Sequence, residues 1–361
     1  MPFRTRACEI FGIEKPVFGF SHSIAVTAAI SNAGGLGVFG ATMHEPHEII
    51  EIARELRSLV GDRPFALDLL LPQSVGDDTD LTEARAKLPA EHRDFVQGIR
   101  DRYDVPASKQ GSFYTRNLRS QTLFAAQVEA ALASEADVFA AAVGVPAEVI
   151  ARARAAGKKT IALIGAPKHA RRALEAGVDA LVAQGYDAGA HTGTIGTFSL
   201  VPQIVDLAGD VPVLAAGGVG CGRHLTASLA MGAQGVWMGT AWLVTNEHRT
   251  DPIVLEKLLA AKSEDTVISR SYSGKTLRMI RSAWSEEWER PDAPTPLKMP
   301  HQQVLIGELL AAVREHRIAP LMWEAAGQSI AFFNEVASVA DVMDRILDEA
   351  RASARGLPAA D

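Results

Sequence analysis

Eight short, almost wholly apolar runs punctuate residues 16 to 242, and segments of helical pattern separate them. The runs are PVFGF (16–20), LGVFGA (36–41), PFALDLLLP (64–72), ADVFAAAVG (136–144), KKTIALIG (158–165), VDALVAQG (178–185), VPVLAAGGVG (211–220) and QGVWMGTAW (234–242). A strand with one wet face alternates apolar and polar residues, whereas a strand covered on both faces reads as a continuous apolar run. Between the runs lie amphipathic stretches such as HEPHEIIEIARELRSLVG (44–61) and PAEVIARARAAG (146–157), ended by glycine. Alternation of this kind is the signature of an α/β chain with a parallel sheet. Eight repeats point to a (β/α)8 barrel, although a doubly wound open sheet shares the alternation and strand count alone cannot close a ring.

The rhythm breaks in two places. Residues 73 to about 117 read as polar and irregular, too long for a simple connection, and are expected to form a loop or lid. Beyond about residue 245 short helical segments mix with a proline cluster near 291–300. Residues 1–245 are therefore assigned to the barrel and 246–330 to a smaller, mostly helical cap. In 331–361 the amphipathic SVADVMDRILDEARASA packs back on the barrel, followed by a disordered RGLPAAD tail.

Composition narrows the function. A net charge of −7 with no offsetting basic stretch argues against a nucleic-acid partner. No run reaches the length of a membrane span, and the N-terminus carries no apolar secretory core. A cytoplasmic protein acting on a small molecule is the expectation, with homodimer formation left open. Two cysteines make neither a disulfide framework nor a zinc set, and Cys221 reads as a small buried thiol. No metal site is expected.

In a closed barrel the chemistry sits at the C-terminal ends of the strands, and the loops after the seventh and eighth strands commonly take a phosphate. AAGGVGCGR (215–223) and MGTAW (238–242) fall at those two ends. Gly217, Gly218, Gly239 and Thr240 are assigned to a phosphate on that ground. No GxGxxG fingerprint follows the first strand and no Walker sequence occurs, so the phosphate fits a mononucleotide such as FMN better than a dinucleotide. The sixth strand ends in AQGYDAGAHTG (183–193), which brings His191 next to that site. Neutral imidazole suits proton transfer at carbon near pH 7. Gln184 is placed to meet a ring edge and Asp187 to orient the loop. Asp68 interrupts the apolar third strand, so it faces either the ligand at the barrel mouth or a structural cation.

Five ordered motifs, NAGGLGVFGA, AQGYDAGAHTG, VPVLAAGGVGCGR, GAQGVWMGTAW and SGKTLRMIRSAW, resemble those of the nitronate monooxygenases, with weaker matches through WEAAGQSIAF. The resemblance implies an FMN-containing barrel with a helical cap and His191 as the catalytic base. It further implies FMN contacts at Gln184, Gly217, Gly218, Gly239 and Thr240, and by position at Gly19, Phe20, Asp68 and Gly189. The chain departs from the family pattern in three places: Phe20, Ser21 and His22 follow the first strand, Asp68 stands where an asparagine is usual, and Ala190 follows Gly189 before the histidine. The leading expectation is O2-dependent oxidation of a nitronate or nitroalkane. The superfamily also contains enoyl-thioester reductases, so an FMN enzyme using NAD(P)H on an acyl-CoA or acyl-carrier-protein thioester is the second reading. A non-catalytic flavin or phosphate binder is the third.

Overall fold

The computed structural model describes residues 3–72 and 80–356. Its strands, in chain order, are β1 Val17–Ser21, β2 Leu36–Gly40, β3 Phe65–Leu70, β4 Val138–Ala142, β5 Lys159–Ile164, β6 Ala180–Gln184, β7 Ala190–His191, β8 Val213–Ala216, β9 Gly235–Met238, β10 Thr266–Ser269 and β11 Leu277–Ile280. Eight of them form one closed parallel barrel in the order β1-β2-β3-β4-β5-β6-β8-β9, and β1 pairs with both β2 and β9 to close it. All eight predicted strands are in this ring, and the open-sheet alternative is excluded.

Side chains alternate along each strand, so one set fills the barrel and the other meets the helices. Phe18, Leu36, Val38, Ala66, Val138, Ala140, Ile161, Ala180, Val182, Leu214, Ala216 and Trp237 belong to one buried cluster, the barrel interior. The helix Arg6–Phe11 supplies Ala7, Cys8 and Phe11 to the same cluster. Phe11 meets Phe18 edge-on at 5.4 Å, closing the N-terminal end of the barrel. The opposite end is left for chemistry.

The segment expected to be an irregular loop is mostly helical where it is described, with helices Leu81–Ala86, Ala90–Arg102 and Phe113–Arg116; residues 73–79 lie outside the described residues. Ala90–Arg102 buries only His92, Val96 and Ile99, a stripe one residue wide on an otherwise polar helix. So narrow a stripe is hidden by the polar average of the segment. The stripe suffices because this insertion packs on the cap rather than standing alone. His92 Nε2 lies 2.9 Å from the Thr295 carbonyl, Tyr103 donates to Glu287 at 3.1 Å and Arg102 pairs with Glu287. The Glu315 carboxylate takes Ser108 Oγ at 2.7 Å and the Lys109 and Gln110 N–H groups at 2.9 and 3.1 Å.

The cap itself carries helices Pro252–Ala260, Ala283–Glu289 and His301–Glu315, as its composition suggested. It also holds a three-stranded sheet in the order β10-β11-β7, with strands too short to signal in sequence. The middle strand joins cap to barrel loop: β11 pairs antiparallel with β7, setting Leu277 opposite His191. The C-terminal helix Val339–Arg355 packs against the helix Gly222–Ala230 so closely that a Cβ on Gly222 would sit 2.2 Å from the Ala350 nitrogen. Residues 357–361, most of the predicted disordered tail, lie outside the described residues. Among the described residues no helix is long and apolar enough to cross a membrane, and no cluster of three or more His, Cys, Asp or Glu is placed to hold a metal.

Candidate active site

Alternation places one inward residue at the top of each strand. In β3 the sequence Ala66, Asp68 keeps one face, and in β6 Ala180, Val182, Gln184 does the same, so Asp68 and Gln184 rim the barrel mouth beside Phe20 and Ala216. Asp68 is 3% exposed and its Oδ1 has no hydrogen-bond partner. Burial alone pushes its carboxyl up to about 7. Of the two sequence readings of this residue, no structural cation is found among the described residues, and the strand's alternation turns the carboxyl inward. Phe20 stacks on Trp237 at 6.3 Å and meets His22 edge-on at 5.2 Å.

His191 reaches the mouth from β7. The Gln184 side-chain amide donates to the His191 carbonyl at 3.1 Å, so Gln184 ties the loop to the strand it follows. Ala190, where the family pattern has glycine, is held at φ 60°, a left-handed conformation that costs an alanine roughly 1 kcal/mol. The imidazole Nε2 lies 2.7 Å from Ser273 Oγ. Ser273 Oγ also accepts the Lys275 N–H at 3.3 Å, which fixes the hydroxyl that orients the ring. The ring's Nδ1 has no hydrogen-bond partner among the described residues. Burial, and then the charges of Arg119 and Lys275, lower the His191 pKa to about 4, so the ring is neutral at physiological pH.

Next to Ser273, which holds His191, stands a wall from the insertion and the cap. Tyr114 meets Tyr272 edge-on at 6.0 Å, Tyr272 meets Trp323 at 5.4 Å, and the two tyrosine hydroxyls are 3.1 Å apart. Arg119 lies over the Tyr114 ring. His22 closes the circle, with its Nδ1 2.9 Å from the Gly40 carbonyl, so that Nδ1 carries the proton and Nε2 is left as acceptor. Sequence reading missed Arg119, Ser273, Tyr272 and Trp323. The one available signal was Ser273 and Lys275 inside the SGKTLRMIRSAW motif.

The glycine-rich ends of β8 and β9 form the other half. Gly217 and Gly218 have φ values of 95° and 71°, which an L side chain resists. The N–H groups of Gly217, Gly218, Gly239 and Thr240 donate to no protein acceptor among the described residues. A Cβ on Gly239 would meet nothing closer than the Phe20 carbonyl at 3.9 Å. Free backbone donors beside open space suit a phosphate group. The helix after β8 does not offer its first amide, because that of Gly222 donates to Glu349 at 2.7 Å. The candidate anion site is thus the pair of strand-end loops and not that helix N-terminus. Thr240 Oγ1 accepts the Gly327 N–H at 2.9 Å and keeps its proton for a ligand.

At two of the expected contacts packing also requires glycine. A Cβ on Gly19 would fall 2.4 Å from Ile30 Cδ1 and 2.9 Å from Trp242 Nε1, so this glycine makes room on the outer face of β1. A Cβ on Gly189 would fall 2.7 Å from the backbone of both Ala326 and Gly327, where the His191 loop crosses the cap. Asp187 anchors the same loop: its carboxylate takes the Thr197 N–H at 2.9 Å and its carbonyl the Gln328 N–H at 3.0 Å. Cys221 is buried and free.

Fold and site together describe a capped (β/α)8 barrel with a neutral histidine, an aromatic wall and an open set of backbone donors at one mouth. The sequence model of the nitronate monooxygenase family matches residues 4–349, and the chain belongs to that family of oxidoreductases. It is 43% identical to "Putative monooxygenase Rv1533" of Mycobacterium tuberculosis, over 84% of each chain. Among solved structures it is similar to nitroalkane oxidase from Streptomyces ansochromogenes, with TM-score 0.82 and 26% identity over 98% of this chain and 99% of that one. It is also similar to FabK from Thermotoga maritima, with TM-score 0.75 and 25% identity over 98% and 97%.

Proposed function

We propose that the protein binds FMN across the barrel mouth and oxidises a nitronate or nitroalkane with O2, His191 serving as the base. The observation that carries this reading is the state of His191. Its ring is neutral at pH 7, Ser273 orients it, Gln184 and β11 hold its backbone, and Nδ1 is free to take a proton from carbon. FMN, when bound, supplies the two-electron acceptor that O2 reoxidises. Gly217, Gly218, Gly239 and Thr240 hold its phosphate through their free N–H groups, and Asp68 and Gln184 meet the ring system at the mouth. The aromatic wall excludes water and packs a short alkyl chain.

The second reading, an FMN-dependent reductase or dehydrogenase of an enoyl thioester using NAD(P)H, keeps the same residues and draws on the likeness to FabK. An anaerobic screen separates the two. In the leading reading a nitronate bleaches the flavin and NAD(P)H alone does not; rapid bleaching by NAD(P)H, with none by nitronates, sinks it.

A further inference from the structure

Arg119 stands just before the helix Gln121–Ala133 and is 3% exposed. Its Nη2 donates to Tyr114 Oη at 3.1 Å and its guanidinium lies 5.4 Å from the centre of that ring. Among the described residues its Nε and Nη1 have no partner and no carboxylate pairs with it. A buried guanidinium with unpaired donors is costly unless something else meets them. Its charge also acts on His191, His22, Lys275 and Tyr272, four side chains that surround the mouth. Lys275 is a second cation whose charge acts on His191. Two cations whose charges reach a neutral imidazole make a place for an anion, and the Tyr114–Tyr272–Trp323 wall, which Arg119 touches through Tyr114, makes a place for a small apolar group.

We infer that Arg119 is the specificity-determining residue that holds the charged end of the substrate through its two unpaired donors. The inference rests on the nitronate reading and deepens it. A nitronate carries its charge on two coplanar oxygens, as a carboxylate does, and guanidinium donors match that geometry. Whether the anion arrives preformed or is made when His191 takes the proton, Arg119 meets the charge where it lies, in a site shielded from water. Lys275 adds charge without planar recognition.

The probe is propionate, a planar anion of similar size that cannot be oxidised at the flavin, titrated calorimetrically into the FMN-loaded protein. Propanamide serves as its neutral counterpart. Arg119→Met is expected to weaken propionate about 10- to 100-fold, the worth of one or two charge-assisted hydrogen bonds. It is expected to leave propanamide binding and flavin content unchanged, and Arg119→Lys is expected to recover part of the loss. Propionate is further expected to compete with a nitronate in the unaltered enzyme, where propanamide at the same concentration does not. That comparison needs no variant and stands even where Arg119→Met does not fold. Equal propionate binding by Arg119→Met and the unaltered protein overturns the inference. So does loss of FMN in the variant, which assigns Arg119 to the cofactor. A holoenzyme that ignores nitronates but reduces an enoyl thioester overturns the activity reading alone, and the propionate titrations then still decide Arg119.

Discussion

The two walls of the site are built by different rules. The barrel wall consists of strand ends, and each contributes the residue that its two-residue period aims inward: Phe20, Asp68, Gln184, Ala216. The cap wall consists of Tyr114 and Arg119 from the insertion, Tyr272, Ser273 and Lys275 from the turn between β10 and β11, and Trp323 from beyond the helix His301–Glu315. Barrel residues share a scaffold and a period, whereas cap residues share only a destination. The barrel wall is suited to hold an invariant group and the cap wall to select what meets it. His191 belongs to both, since it sits on a barrel loop that pairs with a cap strand.

If that division is right, damage on each side should separate binding of the flavin from chemistry on the substrate. The largest effect is expected at Gly218. Gly218→Asp forces a side chain onto a φ of 71°, with its Cβ 3.4 Å from that of Asp187, and sets a carboxylate among the phosphate donors. Flavin content after purification should fall to near zero while the far-UV spectrum is retained; full FMN loading moves the phosphate site elsewhere.

His191→Asn tests the residue the two walls share. Flavin content should be unchanged, and turnover of a neutral nitroalkane should fall about 10²–10⁴-fold, because asparagine cannot accept the proton. A preformed nitronate should lose much less, and equal losses on both would mean that His191 binds rather than abstracts. In the unaltered enzyme the acid limb of nitroalkane turnover attributable to His191 should fall near pH 4, where its ring protonates, and not near the ordinary 6.5.

The smallest effect is on stability and belongs to the barrel alone. Asp68 ionises near 3.8 when unfolded and near 7 when folded. Between those values the unfolded chain binds fewer protons than the folded one, so stability falls as pH rises through that window and is level above it. The penalty above pH 7 is at most about 4 kcal/mol. Asp68→Asn removes it. The variant should melt above the unaltered protein at pH 8 and with it below pH 4, at matched flavin content. A constant difference at both pH values would show that Asp68 is partnered.

The same division explains what could be read in advance. Val17–Ser21 through Gly235–Met238 announced themselves because a strand buried on both faces must be apolar throughout, which leaves a signal inside a single window of sequence. His191, and the three glycines and one threonine at the last strand ends, were legible as candidate positions for the same reason: chemistry sits at one end of a barrel, so a motif at a strand terminus has a known address. The helix Ala90–Arg102 was not legible, since its three buried residues are too few to mark a helix until the cap is there to cover them. At Gly19 and Gly189, expected as flavin contacts, the packing need for glycine was not legible, because only the packed neighbours, Trp242 for one and Gly327 for the other, show which face needs the space.

The sequence by itself determined the barrel and marked a candidate site at one end of it, with a histidine on the adjoining loop, because periodicity and strand-end position are properties of short contiguous stretches. Only the tertiary structure decided what faces that histidine. Arg119 and Ser273 are separated along the chain by the whole of β4 to β10, and Arg119 stands in no pattern that marks it. Their approach depends on the insertion packing against the helix His301–Glu315 and on β11 pairing with β7. Both are long-range contacts, settled by shape and burial once the barrel has formed, and no window of sequence contains them.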